Sequence, residues 1–350
     1  MLGFAAALAL ATPATSARFV DVLDTPAQMT PLASRSLLQK VTKAGNRLVA
    51  VGQRGHVLIS ADGGRNWKQS RIPVSSDLTS AFFVDENEGW VVGHDGVILH
   101  TADGGDRWEL QLTGRIANQL LVAAMTRKAD ADPASDDARK LLEEAKRYAG
   151  QGPDKPFLDI WFADARTGYA VGAFNLIFRT GDGGKTWEPW FDRTDNPKFF
   201  NLYAIVAAAG GLYVAGEGGI VLKLDVAAQR FRALTTRYTG SFFGVADAGS
   251  AVLVFGLRGN VYRSQDGGGT WTKVDTGLAA SVVGATKTAQ GALLLADVGG
   301  RMAQSIDDGR SFSPIRLEQP MPLAAIADAG DGKVALAGPR GVAVSRTLAP

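Results

Sequence analysis

Cysteine is missing from this sequence of 350 residues, and histidine occurs only three times, at His56, His94 and His100. Without cysteine the chain can form no disulfide framework, no thiolate-ligated zinc or iron–sulfur site, and no cysteine nucleophile. So few histidines also argue against a histidine-rich metal site, and no acidic ligand cluster suggests calcium or a quinone cofactor. The sequence therefore predicts no metal and no cofactor.

An excess of charge of one sign is lacking too, because 37 basic and 35 acidic side chains leave a formal net charge of +2. This balance creates no overall field that would draw the chain to nucleic acid, so no nucleic-acid partner is predicted. Beyond the N-terminus, no stretch reaches the ~18 apolar residues of a transmembrane helix. A content of 46% hydrophobic and 21% charged residues is typical of a globular protein.

The first 17 residues resemble the end of a secretory signal peptide. Leu2 to Ala11 is a short apolar run, and small residues at positions 15–17 precede Arg18. The basic residues that usually begin such a peptide are missing, so an internal start at Met1 or a plain N-terminal extension are the alternatives. We predict cleavage after Ala17 and a periplasmic or secreted protein, with the main domain at residues 18–350.

Glycine, in contrast, is abundant, at 42 residues of 350 where ~7% is usual. Much of it belongs to a repeated turn of the type Val-Gly-x-x-Gly. Its anchor position occurs seven times, at Gly52, Gly93, Gly172, Gly216, Gly256, Asp297 and Gly338. Five of the six intervals are about 40 residues long, and the second is about twice that, which indicates an insertion.

A second motif, Ser/Thr-x-Asp-x-Gly-x-x-Trp/Phe, follows five of these anchors and resembles the Asp-box, or BNR repeat. Its aspartates and aromatic residues are Asp62, Asp103, Asp182, Asp266 and Asp307 with Trp67, Trp108, Trp187, Trp271 and Phe312. We interpret the motif as a structural turn whose Asp and Ser/Thr side chains bind backbone groups. The alternative, aspartates acting as ligands or acids, would need side chains on separate turns to converge. The fourth copy has lost the aspartate, because Val226 stands in its place.

Each unit is predicted to hold four short strands; in the second unit these are Ala81 to Val84, Gly89 to Val92, Val97 to Thr101 and Arg107 to Leu112. Four strands per ~40-residue repeat is typical of a propeller blade. The fold class is therefore all-β, a seven-bladed β-propeller of four-stranded antiparallel blades. The last repeat lacks its fourth strand, and we expect Phe19 to Leu23 to supply it and close the ring.

Residues 114–152 form the insertion and are predicted to be a helical hairpin after blade two. Ile116 to Ala129 places Ile116, Leu120, Leu121, Ala124 and Met125 on one face, and Asp132-Pro133 ends this helix. Ser135 can cap a second helix that carries Leu141, Leu142 and Ala145 on its apolar side and ends at Gly150. Two interpretations stay open: the hairpin is an insertion without a function of its own that packs on a neighbouring loop, or it is an arm that binds a partner.

With Asp-box turns and Val-Gly-x-x-Gly turns in seven repeats, the chain resembles the Ycf48/Hcf136 family of photosystem II assembly factors over residues 19 to 350, apart from the insertion. The resemblance implies a lumenal or periplasmic, non-catalytic propeller that, in oxygenic phototrophs, binds new D1 protein. Relatives in non-photosynthetic bacteria imply a role beside RND-type exporters. It also implies a basic patch on one face. The helical insertion and the degraded fourth Asp-box depart from the family pattern.

The rival hypothesis is a secreted glycosidase or sialidase-like hydrolase, because sialidases also carry Asp-boxes and an Arg-Ile-Pro motif. Here Arg71-Ile72-Pro73 follows the first Asp-box, in the predicted fourth strand of blade one. No pair of carboxylates at the separation that glycosidases need can be recognised. Sialidase propellers also have six blades, whereas seven repeats are present here. We therefore predict a protein without enzymatic activity.

A partner-binding surface is predicted where the turns between the second and third strands of each blade meet one face. Arg54, Arg258 and Arg340 stand two residues after their anchors, and Arg301 lies close to the same place, four residues after Asp297. These residues belong to four consecutive blades, five, six, seven and one, while Asp95 and Glu217 occupy blades two and four. The alternative is that these arginines are ordinary solvated turn residues. We expect a membrane protein or membrane-complex subunit to bind this face and the helical insertion.

Overall fold

The computed structural model describes residues 20–348, so the predicted signal peptide lies outside the described residues. Seven antiparallel blades form a closed ring in which the first strand of each blade lines a central channel. We letter the strands of a blade a to d from the channel outward. The predicted all-β propeller with seven blades and a helical hairpin is confirmed.

The first four blades each hold four strands in sequence order. Blade one comprises β1 (Leu38–Ala44), β2 (Arg47–Gly52), β3 (Val57–Ser60) and β4 (Lys68–Gln69). Blade two comprises β5 (Leu78–Phe83), β6 (Gly89–Gly93), β7 (Ile98–Thr101) and β8 (Glu109–Leu112). Blade three comprises β9 (Phe157–Phe162), β10 (Gly168–Gly172), β11 (Ile177–Thr180) and β12 (Glu188–Pro189). Blade four comprises β13 (Leu202–Ala208), β14 (Gly211–Gly216), β15 (Val221–Asp225) and β16 (Arg230–Leu234).

The remaining blades follow the same order, and the last one is shorter. Blade five comprises β17 (Phe242–Asp247), β18 (Val252–Gly256), β19 (Val261–Ser264) and β20 (Thr272–Val274). Blade six comprises β21 (Val282–Lys287), β22 (Leu293–Asp297), β23 (Met302–Ser305) and β24 (Ser313–Leu317). Blade seven comprises β25 (Ala325–Gly330), β26 (Lys333–Gly338) and β27 (Gly341–Leu348).

The core consists of apolar layers between neighbouring blades. Strand b shows why, since all five residues of β6 are buried, with side chains packed against the blades on both sides. Seven clusters of buried apolar residues each join two adjacent blades. The cluster around Leu38, Ala50 and Ala335 joins blade seven to blade one, so apolar packing closes the ring.

The predicted closure of blade seven by Phe19 to Leu23 is wrong. Phe19 lies outside the described residues, and Val22–Asp24 is a single turn of 3-10 helix because the Asp21 side chain accepts a hydrogen bond from Leu23 N at 3.0 Å. This segment packs on the loop after blade one, where Ser75 N donates to Val22 O at 2.9 Å. The edge of β27 pairs instead with β24 of blade six, through Arg316↔Leu348 and Leu317↔Thr347.

The repeated anchor glycine is required by a close backbone contact in the turn between strands b and c, the b–c turn. A β-carbon on Gly93 would lie 2.2 Å from the carbonyl oxygen of Asp77, the residue before strand a of the same blade. That oxygen is held there because it accepts a hydrogen bond from His94 N at 2.8 Å. Equivalent clashes of 2.2–2.3 Å would occur at the other glycine anchors, Gly52, Gly172, Gly216, Gly256 and Gly338. Only glycine, which has no β-carbon, can lie this close to the carbonyl oxygen, and this holds whether or not its φ is positive.

The Asp-box is a hydrogen-bonded turn between strands c and d, on the opposite face from the b–c turns. In the first copy, Asp62 Oδ1 accepts from the backbone of Arg65 and Asn66, both at 3.0 Å, and from Ser60 Oγ at 2.8 Å. Ser60 Oγ in turn accepts from Gly64 N at 2.8 Å. These bonds, led by the backbone N–H of Asn66, lower the pKa of Asp62 to about 2. The same hydrogen bonds in the fifth and sixth blades hold the pKa of Asp266 and Asp307 well below the usual range.

The insertion consists of helix α1 (Gly114–Ala131) and helix α2 (Asp136–Gln151), as predicted, with Ser135 as the N-cap of α2. Thr113 caps α1, and Gly152 with φ 97° ends α2, one or two residues beyond the predicted limits. The prediction for Ile116 is wrong, because this side chain is 46% exposed; the buried stripe runs through Ala117, Leu121 and Met125 instead. Among the described helices, none is long and apolar enough to cross a bilayer.

Gly93→Ala should lower the free energy of unfolding by about 1–3 kcal/mol, because the new methyl group forces the Asp77 carbonyl to move. Gly150→Ala is the matched control, since a β-carbon at this position of α2 would meet no heavy atom within 4 Å. We expect the control to be neutral or up to ~1 kcal/mol more stable. Denaturant unfolding measures both, and equal stability of Gly93→Ala and the parent protein would contradict the close-contact argument.

Asp62→Asn should destabilise the protein in a pH-dependent way. The folded-state pKa of Asp62, about 2, lies below the usual value of 3.8, so its contribution is complete above pH 3.8 and is lost as the pH falls towards 2. The difference in Tm between the parent and Asp62→Asn should therefore shrink across this window. Circular dichroism melts at stepped pH test this, with Asp130→Asn on exposed α1 as a control. A difference that stays constant down to about pH 2 would refute it.

Candidate functional site

The four arginines predicted to bind a partner all lie on the face formed by the b–c turns, and all four are exposed. We call Arg54, Arg258, Arg301 and Arg340 the basic arc. They belong to blades one, five, six and seven, which are consecutive because β1 packs beside β25 in the closed ring. The structure thus places the predicted residues along one continuous part of a single face.

Backbone geometry fixes three of these arginines before any partner binds. Arg54 and Arg258 both have a left-handed φ of 56°, and their N–H groups donate to Asp77 Oδ1 at 2.7 Å and Ser281 Oγ at 3.4 Å. Each acceptor lies directly before strand a of the next blade, so the turn is held between two blades. Arg301 N donates to Asp297 Oδ1 at 2.9 Å. Their side chains therefore leave the face from constrained positions.

The guanidinium groups of the basic arc form no ion pair with another described residue. Among residues 20–348, no carboxylate oxygen lies within 4.0 Å of a side-chain nitrogen of these four arginines. Next to Arg54, burial first and then this positive charge lower the pKa of His56, whose Nδ1 lies 2.8 Å from Ser36 Oγ. The protonated form of His56 is thus disfavoured beside the basic arc.

Two further arginines on this face escaped the repeat analysis. Arg35 is exposed in the 3-10 turn Ala33–Arg35, and its Cα would lie 2.7 Å from a β-carbon on Gly341, next to Arg340. Arg237 is exposed in the loop before blade five, with a left-handed φ of 59°. No sequence signal marks them, because Arg35 precedes the first repeat and Arg237 lies in a loop of variable length.

The helical hairpin covers blade three on the same face. Tyr148 of α2 is fully buried against Phe191, and its hydroxyl donates to Phe174 O in the b–c turn at 3.1 Å. Lys128 of α1 pairs with Asp192 at 2.7 Å. The hairpin thus packs on neighbouring loops, as one of the two sequence interpretations expected. Its remaining surface is exposed and charged.

The central channel, a cavity of about 740 Å3, carries charges that are compensated internally. Lys40 lies 4.0 Å from Asp159, Lys43 lies 3.8 Å from Asp328, and Lys287 lies 3.6 Å from Asp247. The channel therefore offers no free charge comparable to that of the basic arc.

The Asp-box carboxylates do not converge on a site. Each is bound within its own turn, as in Asp103, where Oδ1 accepts from Thr101 Oγ1 and Arg107 N, both at 2.9 Å. Within residues 20–348, no group of three His, Asp or Glu side chains is placed to hold a metal ion. Arg71-Ile72-Pro73 lies in the loop after β4 rather than in strand d, and Ile72 is buried in the core between blades one and two.

Comparison with known proteins gives consistent matches. A family model described as photosynthesis system II assembly factor YCF48 matches residues 33–132 and 151–312, leaving out most of α2. The photosystem II assembly lipoprotein Ycf48 of Synechococcus sp. (strain CC9902) is 29% identical over 129 residues, which span 36% of this chain and 38% of that protein. The match thus covers less than half of that relative's length.

Two solved structures share the fold. YCF48 bound to a D1 peptide has a TM-score of 0.62 at 15% identity, covering 89% of this chain and 94% of that one. YCF48 from Cyanidioschyzon merolae has a TM-score of 0.60 at 17% identity, covering 90% and 97%. The family model alone spans more than half of the sequence. The chain belongs to the Ycf48 family of photosystem II assembly factors.

Proposed function

We propose that this protein is an exported, non-catalytic propeller that assists the assembly or stability of a membrane protein complex by binding an acidic segment of one subunit. Membership of an assembly-factor family supports the role, and a YCF48 structure that holds a D1 peptide supports a peptide segment as the ligand. The observation that carries the proposal is the basic arc.

Charge and geometry both favour an acidic segment. Guanidinium groups bind carboxylates bidentately, and those of the basic arc have no carboxylate oxygen within 4.0 Å of their side-chain nitrogens in the described chain. Each exposed ion pair contributes only about 0.2–1 kcal/mol, so binding requires several arginines together. Their placement on consecutive blades suits an extended segment that crosses several turns.

The hairpin enlarges this surface. Arg115 at the start of α1 binds Asp24 through two hydrogen bonds of 2.9 and 2.8 Å and also contacts Asp21, which ties the hairpin to the N-terminal segment. The apolar stripe of the hairpin is already packed against blade three. A partner would therefore contact the charged outer side of the hairpin. We infer a supporting role for the hairpin beside the basic arc.

Export is part of the proposal, because the resemblance to the Ycf48/Hcf136 family implies a lumenal or periplasmic protein. The apolar run and small residues at positions 2–17 support it. N-terminal sequencing of the mature protein tests cleavage after Ala17.

Charge reversal at three positions of the basic arc, Arg54→Glu, Arg258→Glu and Arg340→Glu, should clearly weaken binding of the membrane partner. The partner is identified by pull-down from solubilised membranes of the source organism and mass spectrometry, and its binding is then measured at increasing salt. We expect a slower on-rate and a weaker salt dependence, because steering by the arc is lost. The fold should survive, since these side chains are exposed.

The matched control reverses the same number of charges on the Asp-box face, at Arg65, Arg107 and Lys185, which are also exposed. It should bind the partner like the parent protein. If the control loses the partner while the triple variant of the basic arc keeps it, the binding face is the opposite one and the proposal fails.

No hydrolysis of sialosides or aryl glycosides is expected, because the Asp-box carboxylates are committed to turn hydrogen bonds. Purified protein is assayed with fluorogenic substrates of both classes. Turnover that disappears when a single glutamate is replaced would overturn the non-catalytic assignment.

A further inference from the structure

Blade four differs from its neighbours at the turn between strands c and d. Where the other five four-stranded blades have an Asp-box, β15 and β16 pair to their ends, with Asp225 opposite Arg230. The turn itself is a short hairpin in which Asp225 Oδ1 accepts from Ala228 N at 2.9 Å, and Val226 is 77% exposed. The loop therefore projects outward instead of folding back.

In other blades the Asp-box folds over the preceding blade and closes the seam between the two. A β-carbon on Gly105 of blade two would lie 2.9 Å from Ile59 Cδ1 of blade one. A β-carbon on Gly268 of blade five would lie 2.3 Å from Leu234 Cδ1 of blade four. These contacts leave no room for a ligand. Blade four has no such loop to place against blade three.

The seam between blades three and four is consequently open on the Asp-box face and forms a cavity of about 770 Å3, which we call the seam pocket. Trp161, Tyr169 and Trp190 of blade three form one wall, and Leu212 and Leu224 of blade four lie opposite. A cavity of this size with aromatic and aliphatic walls suits a small organic ligand.

Arg179 brings a positive charge into the seam pocket. In blades four and five, the residue at the same place in strand c binds a backbone carbonyl of the next blade: Lys223 Nζ donates to Gly267 O at 3.2 Å, and Arg263 Nε donates to Asp308 O at 2.7 Å. Both acceptors belong to the Asp-box of the next blade. Arg179 has lost that acceptor together with the blade-four Asp-box, and its guanidinium carbon lies 5.6 Å from the centre of the Trp190 ring.

The other charges at the seam pocket are already engaged. Lys223 is bound to Gly267 O, and Asp247 accepts from Ala209 N at 3.2 Å and lies 3.6 Å from Lys287. Arg193, whose guanidinium carbon lies 4.9 Å from the centre of the same Trp190 ring, pairs with Glu188 at 3.3 Å. Among the described residues, no carboxylate oxygen lies within 4.0 Å of Arg179. The charge left for a ligand is therefore positive.

We propose that the seam pocket binds a molecule in which an aromatic ring is joined to a carboxylate, the ring lying among Trp161, Tyr169 and Trp190 and the carboxylate on Arg179. A guanidinium that lies 5.6 Å from the centre of an indole ring and lines the same cavity as the aromatic side chains matches this pairing of groups. The site lies on the face opposite the basic arc, so it goes beyond the proposed function. The carboxylate can come from a free aromatic acid or from the C-terminus of a peptide that ends in an aromatic residue.

The test uses N-acetyltryptophan as the free acid and a pentapeptide, Gly-Gly-Gly-Gly-Trp, as the peptide source, each compared with its C-terminal amide. Titration calorimetry and ligand-observed NMR on the full chain measure binding. We expect one or both acids to bind and the amides to bind at least about tenfold more weakly. The acid that binds more tightly identifies the source. Absence of binding by both acids, or equal binding of acid and amide, overturns the proposal.

Arg179→Gln should weaken binding of the acid about tenfold and leave the already weak binding of the amide unchanged. Arg166→Gln is the matched control, since Arg166 is exposed on the same face and the same blade. The control and the triple variant of the basic arc should both bind the probe normally. Normal acid binding by Arg179→Gln would overturn the proposal even if the pocket binds aromatic rings.

A second variant rebuilds the missing Asp-box with Leu224→Thr, Val226→Asp, Ala227→Gly and Ala228→Gly, which reproduces the motif at unchanged chain length. The restored turn should cover the seam pocket, give Arg179 a carbonyl acceptor and abolish probe binding. Crystallography or the Tm establishes that it has folded. A folded rebuilt variant that binds the acid as tightly as the parent protein would place the ligand elsewhere.

Discussion

A backbone carbonyl occupies the place of a β-carbon at six of the seven anchor positions, and the rest of the propeller depends on this contact. It locks the end of strand b against the start of strand a, so each b–c turn leaves the blade in the same direction. The residue two positions after the anchor has a left-handed backbone conformation in blades one to five. In blades one, three and five its N–H donates a hydrogen bond to a side chain of the next blade. One backbone contact thus fixes how strands a and b meet and also the direction in which the side chain two positions after the anchor leaves the turn.

The amino acid two positions after the anchor can vary between blades, because only its backbone takes part in the structure of the turn. This position holds Arg54 in blade one and Arg258 in blade five, but Phe174 in blade three, where the turn receives Tyr148 of the hairpin at a ring distance of 6.1 Å. For a residue other than glycine, the left-handed conformation costs about 1 kcal/mol. The hydrogen bonds from its N–H to the next blade offset this cost. The same slot therefore serves charge in one place and packing in another.

Much of the architecture could be predicted from the sequence, because the anchor glycine and the Asp-box are local requirements that recur at fixed spacing. The blade count, the hairpin and the Ser135 cap follow from such signals. Closure of the ring could not be predicted in this way. Phe19 to Leu23 has the residue types of a strand, yet Asp21 caps a turn there, and the pairing of β24 with β27 depends on how blades six and seven pack together, which no local motif encodes.

The surfaces were predictable only where a residue's neighbours lie in its own repeat. The basic arc could be recognised because its arginines share one turn. In blade six Asp297 replaces the anchor glycine and binds Gly299 N and Arg301 N, both at 2.9 Å, and Arg301 stands two residues later in the turn than Arg54 and Arg258 do in theirs. Arg35, outside the repeats, gave no comparable signal.

The role of Arg179, in contrast, could not be predicted from its own repeat. The loss of the fourth Asp-box is visible in the sequence at Val226, but its consequence falls on a side chain 47 residues earlier, in another blade. Only the packing of one blade's turn on the preceding blade links the two positions. In a repeat protein each motif stabilises its own blade and covers its neighbour. A degraded copy can therefore keep its blade folded, here through the regular pairing of β15 with β16, while it uncovers a binding surface on the blade before it.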